Sequence, residues 1–248
     1  MKMNPFLTSL RGMWALVVLA SALGNASPAS AQLRVLTYSM GESIGFASAQ
    51  AGVVVAALKA GDSDGAGKSH QGVYLNLPKA QEASQGILGS ISRSVEPYEA
   101  FASCQKILQG VRGNHAYSEG SFDDPGRWVG IYQANVYDAL VNARDCYTPA
   151  LARMSPSFAH AYAMGANITI AEVHATLDER HRSTVVGALN VTKQALLNFN
   201  SSIGGSDPKL PVAQIDECIA LASGSTPLRE VQQRIGSVRN AYRASIVH

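Results

Sequence analysis

The sequence predicts an all-α fold, a single-domain bundle of about five to seven helices behind a cleaved signal peptide. The 248 residues are 46% hydrophobic and 15% charged, which is the composition of a folded globular protein. Apolar residues recur mainly at spacings of three and four, the period of an amphipathic helix. Alternating runs of β-branched residues, which indicate strands, are nearly absent, and residues 72–77 form the only candidate strand.

Residues 1–31 have the organisation of a bacterial secretory signal peptide. Lys2 and Arg11 flank a polar start, an apolar run follows at 13–20, and an Ala-Ser-Ala triplet stands directly before Gln32. The apolar run is too short to cross a bilayer core of about 30 Å, which takes roughly 20 apolar residues. We therefore expect cleavage before Gln32 and a periplasmic or secreted mature protein of residues 32–248.

Loss of the leader changes the charge balance of the chain. Because the leader contains Lys2, Arg11 and no acidic residue, its removal brings the formal net charge from +2 to zero. Binding to nucleic acid depends on the neutralisation of phosphates by basic side chains, and the mature chain has no basic run. Nucleic acid is therefore excluded as a partner.

The first helical segment covers about residues 40–60 and is rich in Ala, Gly, Ser and Val. Gly41 and Gly45, followed by further small residues, leave a smooth surface that a second helix can approach closely. We expect this surface to be buried inside the chain's own bundle, with a helix of another protein as the alternative. The segment ends in the turn-rich residues 61–67, and residues 32–71 form either part of the bundle or an N-terminal appendage.

Proline positions and apolar stripes define the helices in the middle of the chain. Pro78 opens a helical stretch that Pro97 breaks or kinks. The continuation carries Phe101, Cys104, Leu108 and Val111 on one face. A loop spans residues 110–126. The helix after this loop has the stripe Val129, Tyr132, Val136, Leu140, Ala143 and Tyr147.

A long helical pattern follows in the second half of the chain. It starts at Ser155, an N-cap residue followed by a proline at the first helical position, and reaches about Ile203. A break is expected in the polar stretch 178–184. A short helix is predicted over residues 212–222.

The last helix is opened by the dipeptide Thr-Pro at 226–227. Its apolar stripe consists of Leu228, Val231, Ile235, Val238, Tyr242 and Ile246. Its polar face carries Arg229, Arg234, Arg239 and Arg243 against the single acidic residue Glu230. Such a basic helix can dock on an acidic partner or an anionic membrane surface, and packing of its apolar stripe on the bundle is the favoured alternative.

Three cysteines remain after cleavage, so at most one disulfide forms within the chain. In a simple helical hairpin that turns at residues 110–126, Cys104 and Cys146 lie about 15 to 20 Å apart along the axis. A disulfide requires α-carbons within about 7 Å. We therefore expect any bridge to join Cys218 to one of the other two cysteines.

Motifs of common enzyme classes are incomplete or missing. Residues 61–69 end in Gly-Lys-Ser, as a phosphate-binding loop does, but Asp62 stands where the first glycine is required. Ser103 and Lys106 have the spacing found in penicillin-recognising enzymes without their companion motifs. The sequence also lacks Gly-x-Ser-x-Gly, His-Glu-x-x-His and Cys-x-x-Cys. Binding without catalysis is therefore favoured, and an enzyme of another type remains an alternative.

One group of residues has metal-ligand chemistry at helical spacing. On an unbroken helix, a single stripe would contain His160, Met164, Asn167, His174, Asp178 and His181. Within it, His174, Asp178 and His181 can converge on zinc or a similar metal, whereas His160 with Met164 is a softer pair suited to copper. The alternative is the solvated polar face of an amphipathic helix.

These patterns favour an exported α-helical protein that acts through protein-protein contacts in the cell envelope, as a structural, assembly or inhibitory component. Its partner is another envelope protein or a second copy of the chain, and no cofactor is expected. The alternative is a periplasmic metal- or small-ligand-binding helical module that uses the stripe from His160 to His181, with zinc or copper as its metal.

Overall fold

The computed structural model describes residues 28–93, 96–111, 122–205 and 207–246. Most of the predicted signal peptide and most of the predicted loop at 110–126 lie outside these ranges. The described residues confirm the all-α prediction, since the structure is 87% helix and contains no strand in these ranges.

The helical segments follow one another along the chain. They are α1 (Pro28–Lys59), α2 (Ser63–Gly89), α3 (Glu96–Gly110), α4 (Pro125–Tyr132), α5 (Asp138–Met154), α6 (Pro156–Ala175), α7 (Arg182–Ser202), α8 (Val212–Ser223) and α9 (Leu228–Ile246). A π-helical turn, Gln133–Tyr137, joins α4 to α5 without interruption, so the described ranges contain eight separate helices. The predicted number of five to seven is therefore too low.

Helix α2 starts earlier than predicted, because the helical stretch expected to open at Pro78 begins at Ser63 and replaces the loop predicted at 61–67 and the strand predicted at 72–77. The chain turns at Gly61 alone, where φ is +75°. Asp62 then caps α2, because its carboxylate accepts a hydrogen bond of 2.8 Å from the Gly65 amide. Pro78 lies inside α2 on its exposed side, where water can satisfy the carbonyl that loses its helical donor.

The small residues of α1 lie against α6 of the same chain, which confirms burial of this surface within the bundle. A Cβ atom placed on Gly45 would lie 2.3 Å from the Ala166 carbonyl oxygen, and one placed on Gly165 would lie 2.3 Å from the Tyr38 carbonyl oxygen. Only glycine allows two helix backbones to approach this closely. We call this contact the α1–α6 seam.

Buried apolar residues form two clusters, one on each side of the α1–α6 seam. The first cluster gathers residues of α1 to α5 with Phe158, Ala159 and Tyr162 of α6. The second gathers residues of α6 to α9 with Tyr38 of α1. The segment 32–71 therefore supplies α1 and the start of α2 to the core.

Helix α1 is also the one helix in the described ranges that is long and apolar enough to cross a membrane by length and composition. Its most apolar 18-residue window has a mean hydropathy of 1.3, and 61% of that window is buried by the rest of the chain. A core helix with small and apolar residues on most sides has this composition.

The predicted disulfide pairing is wrong, because the structure joins Cys104 to Cys146 with their α-carbons 5.5 Å apart. The simple hairpin fails for a physical reason: α4 packs on α1, and it is α5 that passes alongside α3. The connection 111–124 is long enough to bring the second half of the continuous helix beside α3. Phe101 and Tyr147 contact each other at the same level, with ring centroids 5.0 Å apart.

Cys218 is the free cysteine of the described residues and is buried in the second cluster. Burial raises the pKa of its thiol to about 11. At neutral pH the group is therefore a neutral, unreactive thiol.

The predicted break in the second half of the chain is confirmed. Helix α6 ends at Ala175, a 3-10 turn follows at Glu179–His181, and α7 starts at Arg182. The apolar stripe of α9 is also confirmed, since all six of its predicted residues are buried.

Candidate binding cleft and histidine pair

A cleft of about 330 Å³ opens between α5 and α7, with α6 as its floor. Helix α5 contributes Arg144, Asp145 and Thr148, α6 contributes Tyr162, Ala163, Ala166, Asn167 and Ile170, and α7 contributes Thr184, Ala188 and Val191. The volume lies at the lower end of the range for ligand sites, which is about 300 to 1,000 Å³. The cleft therefore has room for a few side chains or a small molecule.

Hydrogen bonds fix the polar side of the cleft. The Tyr162 hydroxyl donates to the Arg144 carbonyl at 3.1 Å and ties the floor to α5. Arg144 and Asp145 form an ion pair of 3.0 Å between Nε and Oδ1. Burial raises the pKa of Tyr162 well above its usual value, so this phenol stays a neutral donor. The Tyr162 hydroxyl is thus a fixed neutral donor on the floor of the cleft, whereas the Asp145 side chain is 64% exposed at its edge.

The apolar side of the cleft is exposed on α7. Val191 lines the cleft and leaves 50% of its surface accessible to solvent. Leu197 on the same helix is 40% exposed and does not line the cleft. The two residues have similar exposure in different surroundings, which makes Leu197 a control for Val191.

The six-residue stripe predicted from His160 to His181 does not form on one helix, because α6 ends at Ala175. The chain bends after His174, and the turn brings the His181 ring back onto it. The two rings stack with their centroids 5.1 Å apart and an interplanar angle of 29°. Their Nδ1 atoms are 3.1 Å apart. We call this arrangement the histidine pair.

Asp178 does not join the histidine pair. Its carboxylate caps the 3-10 turn by accepting a hydrogen bond of 2.9 Å from the Arg180 amide, and it also pairs with the Arg180 guanidinium. The Arg180 hydrogen bonds lower the pKa of Asp178 below its usual value. In the described ranges, no group of three or more His, Cys, Asp or Glu residues is placed to hold a metal ion.

The other two predicted ligands lie further along α6. Met164 is fully buried in the second core cluster. His160 is half-buried, and burial lowers the pKa of its imidazole. Helix α6 is enclosed on most sides, so the stripe is not a solvated face either. Its residues instead lie in different environments along a central helix.

The basic face predicted for α9 is largely used inside the protein. Arg234 pairs with Glu217 at 2.5 Å. Arg239 pairs with Glu172 at 2.9 Å, and Arg243 donates its Nε to Glu42 at 2.9 Å. Three of the four predicted arginines therefore have carboxylate partners on α1, α6 and α8.

Glu42 on α1, the partner of Arg243, was not singled out from the sequence. Its side chain is only 4% exposed. Burial raises its pKa, although the neighbouring arginines act in the opposite direction. The signal was present in the sequence, since Glu42 is an isolated acidic residue in the small and apolar pattern of α1.

No family model, no curated protein and no solved structure matches this chain. Its function is therefore argued from its own residues.

Proposed function

We propose that this protein is exported as one helical domain after removal of residues 1–31, and that it binds another protein of the cell envelope through the cleft between α5 and α7. The observation that carries the binding proposal is the cleft itself, with the Tyr162 hydroxyl of its floor hydrogen-bonded to α5 and the half-exposed Val191 at its edge.

Two features support export. Disulfides form and persist in oxidising compartments such as the bacterial periplasm, and Cys104 and Cys146 are placed for one. The leader composition at 1–31 is that of a signal peptide. Cleavage before Gln32 would remove only the first turn of α1, which leaves the α1–α6 seam intact.

The arrangement of the core supports a single domain. Helices α1 and α6 contribute buried residues to both core clusters, so neither cluster can separate without breaking the α1–α6 seam. A domain is expected to unfold as one unit when its core is continuous in this way.

The chemistry of the cleft defines the occupant. Its volume suits two or three side chains rather than a whole helix, so the partner presents a short segment with an apolar residue for Val191 and Ile170. Hydrogen-bonding groups beside that residue can meet Asn167, Thr148 and Thr184. A peptide segment of mixed character fits these requirements.

A second copy of this chain is a less suitable occupant. The most exposed large apolar residue among the described residues is Leu75 on α2, at 59%. Insertion of Leu75 into the cleft of another copy would be a head-to-tail contact, which builds open chains unless the rotation closes a ring. A different protein avoids this difficulty.

The export proposal is tested in cells that produce the full chain. Mass spectrometry of the envelope and culture fractions should show a mature N-terminus at Gln32 and a Cys104–Cys146 bridge. Retention of the intact chain in the cytoplasm would contradict it.

The binding proposal is tested by capture from the protein's own envelope after chemical cross-linking. Val191→Arg places a charge at the edge of the cleft and should remove a partner that the unaltered protein retains. Leu197→Arg adds the same charge on the same helix outside the cleft and should retain that partner. Equal retention by both variants would show that the cleft is not the contact surface.

A second candidate function is that of a small-ligand-binding module. The specific observation in its favour is the position of the histidine pair at the α6–α7 turn, next to the end of the cleft. A ligand that occupies the cleft without any protein partner would support this candidate.

A further inference from the structure

We infer that His174 and His181 form a binding site for one divalent transition-metal ion of the zinc class, held by the two Nδ1 atoms at the turn between α6 and α7. The site differs from the one predicted from sequence, because it uses two histidines rather than a His-Asp-His set on a continuous helix. It does not depend on the proposed partner or on export.

The geometry of the two rings carries the inference. Zinc binds imidazole nitrogen at about 2.0 to 2.1 Å with tetrahedral angles, so two ligand nitrogens on one ion lie about 3.3 Å apart. The Nδ1 atoms of His174 and His181 are 3.1 Å apart. The fold has therefore already brought the two donor atoms to the separation that one ion requires.

The same distance between the Nδ1 atoms also fits a hydrogen bond between the rings. The hydrogen-bonded pair and the metal-bound pair differ in which ring nitrogens carry protons. A hydrogen bond between two neutral rings requires one Nδ1 to carry a proton and donate it to the other Nδ1. When an ion binds both Nδ1 atoms, each neutral ring carries its proton on Nε2 instead. Conversion of one pair into the other needs only a change of tautomer, with no oxidation and no net proton release.

The local charges allow a cation at this position. Arg180 is paired with Asp178, and Arg182 is paired with Glu179, so each arginine near the turn has a carboxylate partner. His174 lies in the last turn of α6, where the carbonyl end of the helix dipole favours positive charge. The positive charges of Arg180 and Arg182 beside the histidine pair are therefore compensated by these two carboxylates.

The site lies at one end of the cleft. On α6, His174 follows the cleft residue Ile170 by four positions and so lies one turn further along the same face. On the other side of the turn, His181 precedes the cleft residue Thr184 by three positions. Two protein ligands leave coordination positions open, and a carboxylate or imidazole of a molecule in the cleft can fill them.

The test is equilibrium dialysis of the purified, disulfide-bonded protein against Zn²⁺ at pH 7.5. The unaltered protein should retain about one zinc ion per chain at micromolar zinc. His174→Ala and His181→Ala should each reduce retention to the level of the buffer blank. His160→Ala removes another half-buried histidine of α6 and should retain zinc as the unaltered protein does.

Two further measurements make the result decisive. Zinc should raise the melting temperature of the unaltered protein and of His160→Ala, and should leave that of His174→Ala unchanged, because only an ion bound to the folded state stabilises it. Far-UV circular dichroism checks that each variant remains helical, and His174→Asn replaces His174→Ala if the latter does not fold.

The following results would contradict the proposed zinc site. Absence of zinc retention by the unaltered protein, or full retention by both His174→Ala and His181→Ala, would overturn the site. None of these outcomes bears on the Val191 variants, so the metal site and the proposed function fail separately.

Discussion

Single glycines at the α1–α6 seam decide how closely the two central helices approach. At Gly45 an added Cβ would meet the Ala166 carbonyl oxygen at 2.3 Å and the Ala166 α-carbon at 2.8 Å, both of them backbone atoms that cannot rotate away. We predict that Gly45→Ala lowers the free energy of unfolding by about 1 to 3 kcal/mol, the usual cost of overpacking. Urea denaturation of the purified protein measures this change.

The matched control is Gly187→Ala in the interior of α7. An added Cβ at Gly187 has no atom within 4 Å outside its own helix. Alanine is a better helix former than glycine by about 0.5 to 1 kcal/mol, so this variant should be slightly more stable than the unaltered protein. Similar destabilisation by both substitutions would show that α1 and α6 are not in backbone contact.

His70 links stability to pH. The ring is buried in α2, with its Nδ1 atom 3.0 Å from the Tyr132 hydroxyl, and burial lowers its pKa from 6.5 to about 4. Between these two values the unfolded chain binds a proton that the folded protein does not, so stability is lost as the pH falls from 6.5 to 4.

The corresponding prediction concerns the slope of stability against pH. His70→Gln should lose less stability than the unaltered protein when the pH is lowered from 6.5 to 4, as measured by thermal unfolding at each pH. Some slope should remain, because burial also lowers the pKa values of His160 and His174. A slope unchanged by the substitution would contradict a neutral, buried His70.

At the scale of elements, the Cys104–Cys146 bridge joins α3 to α5. The two residues are 42 positions apart, and closing a loop of this length is worth about 4 kcal/mol in the chain-entropy description. We predict that the double variant Cys104→Ala/Cys146→Ala loses about 2 to 4 kcal/mol of unfolding free energy. A reductant should lower the melting temperature of the unaltered protein and leave that of the double variant unchanged. Peptide mapping that finds Cys218 in the bridge would contradict the structure.

The attachment of α9 to α1 depends on an ion pair between a buried and a half-exposed residue. The Glu42 side chain is 4% exposed, whereas that of Arg243 is 49% exposed. Removal of Arg243 leaves the buried Glu42 carboxylate with less positive charge around it. Such a change typically lowers the free energy of unfolding by about 3 to 5 kcal/mol. Removal of the carboxylate leaves an arginine that can reach water.

We therefore predict that Arg243→Met destabilises the protein more than Glu42→Gln does. Chemical denaturation of the two single variants and the double variant measures the difference and the coupling between the two residues. The opposite order of stabilities would show that Glu42 reaches solvent and that α9 is not held on α1 as the structure describes.

Elements with strong local signals could be predicted from the sequence. The start of α6 at a Ser-Pro pair, the break before Arg182 and the stripe of α9 all follow from residues close together in the chain. The part of α2 before Pro78 could not be predicted in this way, because Asp62 and the glycines after it have the composition of a turn. In the structure, Asp62 is instead a cap, and packing of Val73 and Leu77 in the core stabilises the helix.

Contacts between segments that are far apart in the chain could not be predicted from the sequence. The disulfide pairing was predicted wrongly because it depends on which half of the continuous α4–α5 helix passes α3. The metal-ligand stripe depended on one unbroken helix, and the bend after His174 replaced it with a pair of rings. The cleft combines residues of α5, α6 and α7, and no spacing in the sequence marks such a combination.

At the scale of the whole molecule, the seam and the cleft have different roles. The α1–α6 seam lies between two core clusters and gives the helices a rigid centre. The cleft lies on the outer side of α6, where α5 and α7 leave Asn167 and Ile170 accessible from solvent. A rigid floor with polar walls is suited to binding with little rearrangement.

Site-specific photo-cross-linking in the producing cells detects a protein that occupies the cleft. A photoreactive amino acid is placed at position 191 in the cleft, or at position 197 on the same helix as the control. We expect one discrete adduct with another envelope protein from position 191 and none from position 197. No adduct from position 191, the same adducts from both positions, or an adduct of two copies of this chain would contradict the proposed binding of a different envelope protein in the cleft.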